Sequence, residues 1–134
     1  LATLTGAAIV ALGHEAAALM TPDDALRDAL VAAGEHSGER VWPLPLWPVY
    51  GRDVRSPFAD VRNIGRRGAG TIIGGAFLRH FVPPETPWAH LDIAGTAWLE
   101  EARPYAAPGA TLYGAALLVE WICRMKTQGG GHKA

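Results

Sequence analysis

A single cysteine, Cys123, is present in this 134-residue chain. An intrachain disulfide is therefore impossible, a cysteine-based zinc knuckle is excluded, and a reducing cytoplasm is the natural compartment. Charge of either sign is also scarce: charged residues make up 19% of the chain and the formal net charge is -1. Such a balance offers no broad attraction for nucleic acid or anionic lipid, and the one basic cluster, Arg62 with Arg66 and Arg67, is short. Nor is there a long apolar run. The opening LATLTGAAIVALG has no basic leader and falls well short of the ~20 residues that cross a bilayer, so it reads as neither signal peptide nor membrane span.

What is present is a globular composition, 49% hydrophobic, with 16 glycines and 10 prolines that promise many turns. One domain of this length buries roughly two-thirds of the surface its unfolded chain exposes, so a single core is feasible. An apolar start at Leu1, without Met or a polar lead-in, reads as a chain cut from something longer.

Thr5 and Gly13 bracket Ala7 to Leu12 as cap and stop of a short helix whose all-apolar surface implies burial on several sides. Ala16 to Met20 reads as an interior strand. Thr21-Pro22-Asp23-Asp24 then supplies an N-cap, a first-turn proline and acids suited to the helix dipole. The helix that follows places Leu26, Leu30 and Ala33 on one face, turns Asp24, Arg27 and Asp28 to water, and stops near Gly34 or Gly38. Val41 to Pro48 carries three prolines without backbone donors, which predicts an extended path at a sheet edge or across the surface.

Arg52 to Gly70 reads as a loop. Thr71 to Phe81 follows as a helix with Ile72, Ala76, Phe77 and Phe81 on its stripe, its Gly74-Gly75 pair suited to close packing on a neighbour. Val82-Pro83-Pro84 ends it. Ala89 to Ala94 predicts a buried strand, and Leu112 to Met125 a closing helix that offers Leu117, Leu118, Trp121 and Ile122 to the core. Residues 128–134 are polar and glycine-rich and read as a flexible tail beyond a domain over 1–127. Helices alternating with a few buried strands predict an α/β layer structure.

Few residues announce chemistry by themselves. His14-Glu15 is half of a zincin motif, but Ala18 stands where the second histidine belongs. His80 and His90 are isolated from other ligand types, and Asp60 with Asn63 reads as turn chemistry. Gly65-Arg66-Arg67-Gly68-Ala69-Gly70 lacks the Gly-Lys-Ser/Thr ending of a phosphate loop and reads as a solvated turn. Asp92, inside an apolar run, demands hydrogen bonds or a charge partner if buried. With no second acid at a recognisable spacing, it reads as a structural carboxylate that fixes adjacent loops.

Five blocks in register change the picture: ATLTGA at Ala2 to Ala7, GERVWPLPL at Gly38 to Leu46, SPFADVRNIG at Ser56 to Gly65, AGTIIGGAFLRHF at Ala69 to Phe81, and WAHLDIAG at Trp88 to Gly95. Together they resemble the leucyl aminopeptidase family, the two-metal cytosol aminopeptidases. The resemblance implies a partial three-layer α/β/α sandwich around a mixed sheet, truncated at its N-terminal side. It implies a parent enzyme that removes N-terminal residues from peptides with two divalent ions, zinc or manganese, and assembles as a hexamer. The family's metal ligands and its catalytic lysine and arginine precede the ATLTG block, so the resemblance places no metal ligand and no catalytic residue on this chain.

What carries over is substrate-facing. The ATLTG turn maps peptide-binding backbone groups onto Thr3, Leu4 and Gly6. The pocket for the first substrate residue maps onto Thr3 and Gly6 on one side and Ala94 and Ala97 on the other. Ala97 replaces a larger apolar residue of some members, which implies a wider pocket. Leu112 stands where members often have glycine. The rival expectation is a metal-free relative that keeps the scaffold for assembly or peptide binding without catalysis.

Overall fold

The computed structural model describes residues 1–65 and 68–129, with the backbone alone for 127–129. Its centre is the strand β1 (Ala17–Met20), flanked by β2 (Val41–Pro43) and β3 (His90–Asp92) in the order β2-β1-β3. β1 runs parallel to β2, with Ala18 opposite Trp42, and antiparallel to β3, with Leu19 opposite Leu91. The sheet is therefore mixed. Ala2 extends it beyond β3: its amide donates to the Leu91 carbonyl at 3.1 Å, and the Ile93 amide donates to the Ala2 carbonyl at 2.9 Å.

Every residue of β1 is buried, which a strand covered on both faces requires. Ala17 and Leu19 point to one side, where Leu30 and Ala33 of α2 (Asp24–Ser37) and Leu117 of α4 (Ala115–Gly129) close the larger core. Ala18 and Met20 point to the other, against Ala8 of α1 (Gly6–Leu12). On that same side α3 (Gly70–Arg79) comes so near that a Cβ on Gly75 would lie 2.8 Å from Met20 Sδ. The result is a three-layer α/β/α arrangement. A short helical turn at Pro48–Arg52 and a hairpin of β4 (Trp98–Leu99) with β5 (Gly109–Ala110) complete the described elements.

Local signals explain most boundaries. Thr5 Oγ1 accepts from the Ala8 amide to cap α1, and Gly13, at φ 64°, ends it. Gly38, at φ 79°, ends α2 in the left-handed conformation that glycine adopts without a Cβ penalty. Among the described residues β2, with Pro43, is paired on one side, as a proline-bearing strand at a sheet edge would be. α4 starts under a long-range cap, Glu39 Oε2 accepting from the Leu117 amide at 2.7 Å.

Several sequence expectations are corrected. The cap of α2 is Asp23, whose carboxylate accepts from the Leu26 amide at 2.9 Å, so Thr21 and Pro22 precede the helix; Thr21 Oγ1 instead donates to the Trp88 carbonyl. α1 is buried only at Ala8, and Val10 is 90% exposed. α3 does not bury the stripe of large side chains read from the sequence. Thr71, Ile73 and Gly75 face inward and Phe81 is exposed, because the small residues permit the closest approach to Met20. Ile122 is half-exposed rather than core. α4 reaches Gly129, into the segment read as a tail, and residues 130–134 lie outside the described ones, as do Arg66 and Arg67 of the basic cluster and solvated turn.

Candidate functional site

Asp92 ends β3 with a side chain 1% exposed, and a buried carboxylate must find donors there. It finds four. Oδ1 accepts from the Leu4 amide at 3.0 Å and the Ala94 amide at 3.2 Å, while Oδ2 accepts from the Thr5 amide at 3.0 Å and from Thr5 Oγ1 at 2.7 Å. The Thr5 hydroxyl has one proton and gives it to Asp92, so at the 3.0 Å contact between the two hydroxyls Thr71 Oγ1 donates to Thr5. One carboxylate thus joins the N-terminal turn, the end of β3 and the start of α3. This is the loop-fixing role read from the sequence.

That latch sets the neighbourhood of the residues implied in substrate binding. Thr3 and Gly6 are exposed and Leu4 is half-buried, all in the segment that Asp92 and Ala2 hold against β3. Leu4 lines a cavity of about 440 Å³ with Thr5, Asn63, Ile64, Gly74 and Phe77. A Cβ on Gly74 would lie 3.0 Å from Leu4 Cδ2, so that glycine makes room for the leucine. Ala94 packs beside Ala8, Ala18 and Met20. Ala97 is reached through a tight turn in which the Ile93 carbonyl accepts from the Thr96 amide at 3.0 Å and the Ala97 amide at 2.9 Å.

Two residues outside the sequence expectation brace this turn. His14 Nδ1 donates to the Gly95 carbonyl at 2.6 Å, and Thr111 Oγ1 donates to the Thr96 carbonyl at 2.7 Å. Neither pairing has a sequence signal, since the partners are 81 and 15 residues apart. Glu15, next to His14, makes a two-pronged ion pair with Arg103 at 2.9 and 3.1 Å. Its hydrogen bond to the guanidinium, then its attraction to it, hold the Glu15 carboxyl below the usual carboxylate range.

His80 and His90 hold no such brace. His80 is exposed and meets Phe81 edge-on at 5.4 Å. His90 is 4% exposed, stacks on Trp88 at 6.4 Å, and has no hydrogen-bond partner at Nε2 among the described residues. Burial, the largest cause, pushes its pKa below the ordinary histidine value. In the loop read for Asp60 and Asn63, the turn bonds come from Ser56, whose Oγ accepts from the Phe58 and Ala59 amides. Among the described residues no group of three or more His, Cys, Asp or Glu side chains is placed to hold a metal. The donor set therefore does not fit a two-metal centre, and Asp92 already accepts four hydrogen bonds.

A layered α/β/α fold with a buried carboxylate joining two turns at a strand end defines a class of scaffold, and comparison places it more narrowly. The profile of the cytosol aminopeptidase family, catalytic domain, matches residues 1–119. This chain belongs to that family. It is 56% identical to a probable cytosol aminopeptidase of Geobacter sp. strain M21 over 92% of its length and 25% of the relative's. It is 50% identical to one from Trichormus variabilis, over 91% and 25% respectively. The chain thus spans about a quarter of the length of these relatives. Among solved structures, a tomato leucine aminopeptidase mutant superposes with a TM-score of 0.83 at 43% identity, over 91% of this chain and 23% of that one. The bottromycin maturation enzyme BotP in complex with Mn gives 0.84 at 42% identity, over 92% and 27%.

Proposed function

We propose that this chain is the C-terminal portion, over residues 1–127, of an aminopeptidase that hydrolyses N-terminal residues from peptides. In this reading its Thr3, Leu4 and Gly6 meet the peptide, and Ala94 and Ala97 wall the pocket for the first side chain. The observation that carries it is the Asp92 latch, which holds side by side two substrate-facing segments whose bonded residues Leu4 and Asp92 are 88 positions apart. Main-chain groups at the Thr3 to Gly6 turn suit an enzyme that reads many peptides, because backbone contacts are indifferent to side-chain identity. The two divalent ions, zinc or manganese, would be held by residues outside this chain. Their chemistry is to polarise the scissile carbonyl and lower the pKa of a bound water.

The exposed Trp42, Trp47 and Phe58 offer apolar surface for the rest of the protein or further copies to cover, in keeping with a hexamer in the cytosol. No helix among the described residues is long and apolar enough to cross a membrane.

The test uses the full-length protein and peptides or aminoacyl anilides led by Ala, Leu or Phe. Turnover that is lost on chelation and returns with zinc or manganese supports the enzyme reading; binding of peptides with no turnover in either state would favour the metal-free module instead. The small Ala97 side chain predicts acceptance of Leu and Phe. Cleavage of Ala-led substrates far above both would overturn the wide-pocket assignment, since each methylene-sized misfit at an apolar wall changes binding by about 1–3 kcal/mol.

A further inference from the structure

The turn after β3 is held on its amide side by Asp92 and Ile93. Its carbonyl side is held as completely: Gly95 accepts from His14 Nδ1 at 2.6 Å, Thr96 from Thr111 Oγ1 at 2.7 Å, and Ala97 from the Thr111 amide at 3.1 Å. Of these braces only His14 comes from α1's own end of the molecule. A Cβ on Gly95 would lie 2.2 Å from the Gly13 carbonyl oxygen, so the loop after α1 and this turn meet backbone against backbone.

α1 is consequently fastened to the β3 segment at both ends. At its start Thr5 is bonded to Asp92, and just past its end His14 is bonded to Gly95. A seven-residue helix between two such fixings is a spacer of fixed length. One end presents Gly6, and the other grips the turn that carries Ala94 and Ala97. Resting on the pocket reading above, we infer that His14 is a positioning residue that sets the width of the pocket for the first substrate residue. It does so by fixing the Gly95 carbonyl, and with it the Ala94–Ala97 wall, relative to Gly6. It touches no reacting atom in this role. Its effect falls on side chains long enough to reach the wall.

The experiment compares His14→Ala, His14→Asn, His14→Gln, Glu15→Ala and Ala97→Met in the full-length enzyme, on Leu-led and Ala-led substrates. Asn can place an amide N–H where Nδ1 stands, whereas Gln places it nearer Nε2. Loss of one hydrogen bond predicts a rise of about fivefold in KM for the Leu-led substrate in His14→Ala and His14→Gln, with kcat within about twofold. The Ala-led substrate should be unaffected, His14→Asn should restore KM, and Glu15→Ala should match the unaltered enzyme. An unchanged KM in His14→Ala and His14→Gln, with Ala97→Met still shifting Leu-against-Ala selectivity, overturns the role of His14 and leaves the pocket reading standing. If Ala97→Met shifts nothing either, the pocket reading itself fails. A uniform loss on both substrates together with a lower Tm, unrelieved by Asn, would show a merely structural contact and also overturn the inference. If His14→Ala fails to fold, the contrast of Asn with Gln decides.

Discussion

Replacing Asp92 tests the central contact, because its oxygens accept from three backbone amides and one hydroxyl in a place solvent does not reach. In Asp92→Ala all four donors lose their acceptor. Each buried donor left without a partner costs about 1–3 kcal/mol, although such costs are not additive and water entering the gap recovers part. The expected loss is therefore about 3–5 kcal/mol, within the range for breaking a buried network. Asp92→Asn is the sharper probe. If the amide oxygen stands at Oδ1, the Leu4 and Ala94 bonds survive and the amide group confronts the Thr5 amide, donor against donor. Thr5 Oγ1 can turn to accept, so one backbone donor is orphaned and about 1–3 kcal/mol is lost.

The assay is urea unfolding of the full-length protein, read with steady-state kinetics on the same preparations. The kinetic signature follows from geometry, since releasing the Thr3 to Gly6 segment from β3 disturbs the peptide's seat and should raise KM. An Asn variant within about 0.5 kcal/mol of the original, on the scale of ordinary surface changes, would refute the latch. A fall of about a thousandfold in kcat with unchanged stability and KM would refute it differently, by showing that Asp92 takes part in the chemistry.

Three further outcomes are expected. Gly95→Ala should cost more than Gly75→Ala in thermal unfolding, by about 1–3 kcal/mol, because the first places a Cβ 2.2 Å from a backbone oxygen and the second meets the movable end of Met20 at 2.8 Å; equal costs would contradict the backbone contact. Leu112, at φ 56° and 78% exposed, sits in a conformation that costs a side-chain-bearing residue about 1–2 kcal/mol, so Leu112→Gly should be neutral or stabilise by up to about 1 kcal/mol after glycine's chain entropy is counted. A clear loss in Tm would mean that Leu112 is held by contacts the full protein adds. His90 titrates lower in the folded chain than unfolded, mainly through burial, so its contribution is fully present above the unfolded value near 6.5. That contribution is lost as the pH falls from there through the folded value. His90→Phe, which keeps an aromatic ring beside Trp88, should flatten the fall in Tm between pH 7 and 5, and an unchanged slope would assign the acid sensitivity to other groups.

The features that could be read from residue order share one physical property: donor and acceptor lie within a few positions of each other. Thr5 capping Ala8, Asp23 capping Leu26 and Gly38 ending α2 depend on local backbone geometry, and their residue types announce it. Even the error at Thr21 is local, since two capping side chains lie two positions apart and Thr21 is claimed by Trp88. Helix faces were less legible. In α3 the large side chains dominate any hydropathy reading, yet Thr71 and Gly75 share the inward face with Ile73, and Gly75 lets the helix come close to Met20. The all-apolar α1 leaves Val10 in solvent for a related reason, because periodicity records which surfaces are apolar and carries no information on which neighbour covers them.

The candidate site is the extreme case. A buried Asp92 could be read as needing donors, but its donors Leu4 and Thr5 are 88 and 87 residues away, and no spacing rule connects them. The five family blocks supplied that connection by naming the ATLTG and DIAG segments together, without saying what holds them. The atoms that hold them are the Thr5 hydroxyl, the Asp92 carboxylate and the His14 imidazole. All three are side chains that a residue list of pocket walls omits, because a wall residue is recognised by what it touches and a brace by what it keeps still. For that reason changes at Asp92 and His14 should separate along kinetic lines, with Asp92 affecting stability and all substrates and His14 affecting chiefly those with long first side chains.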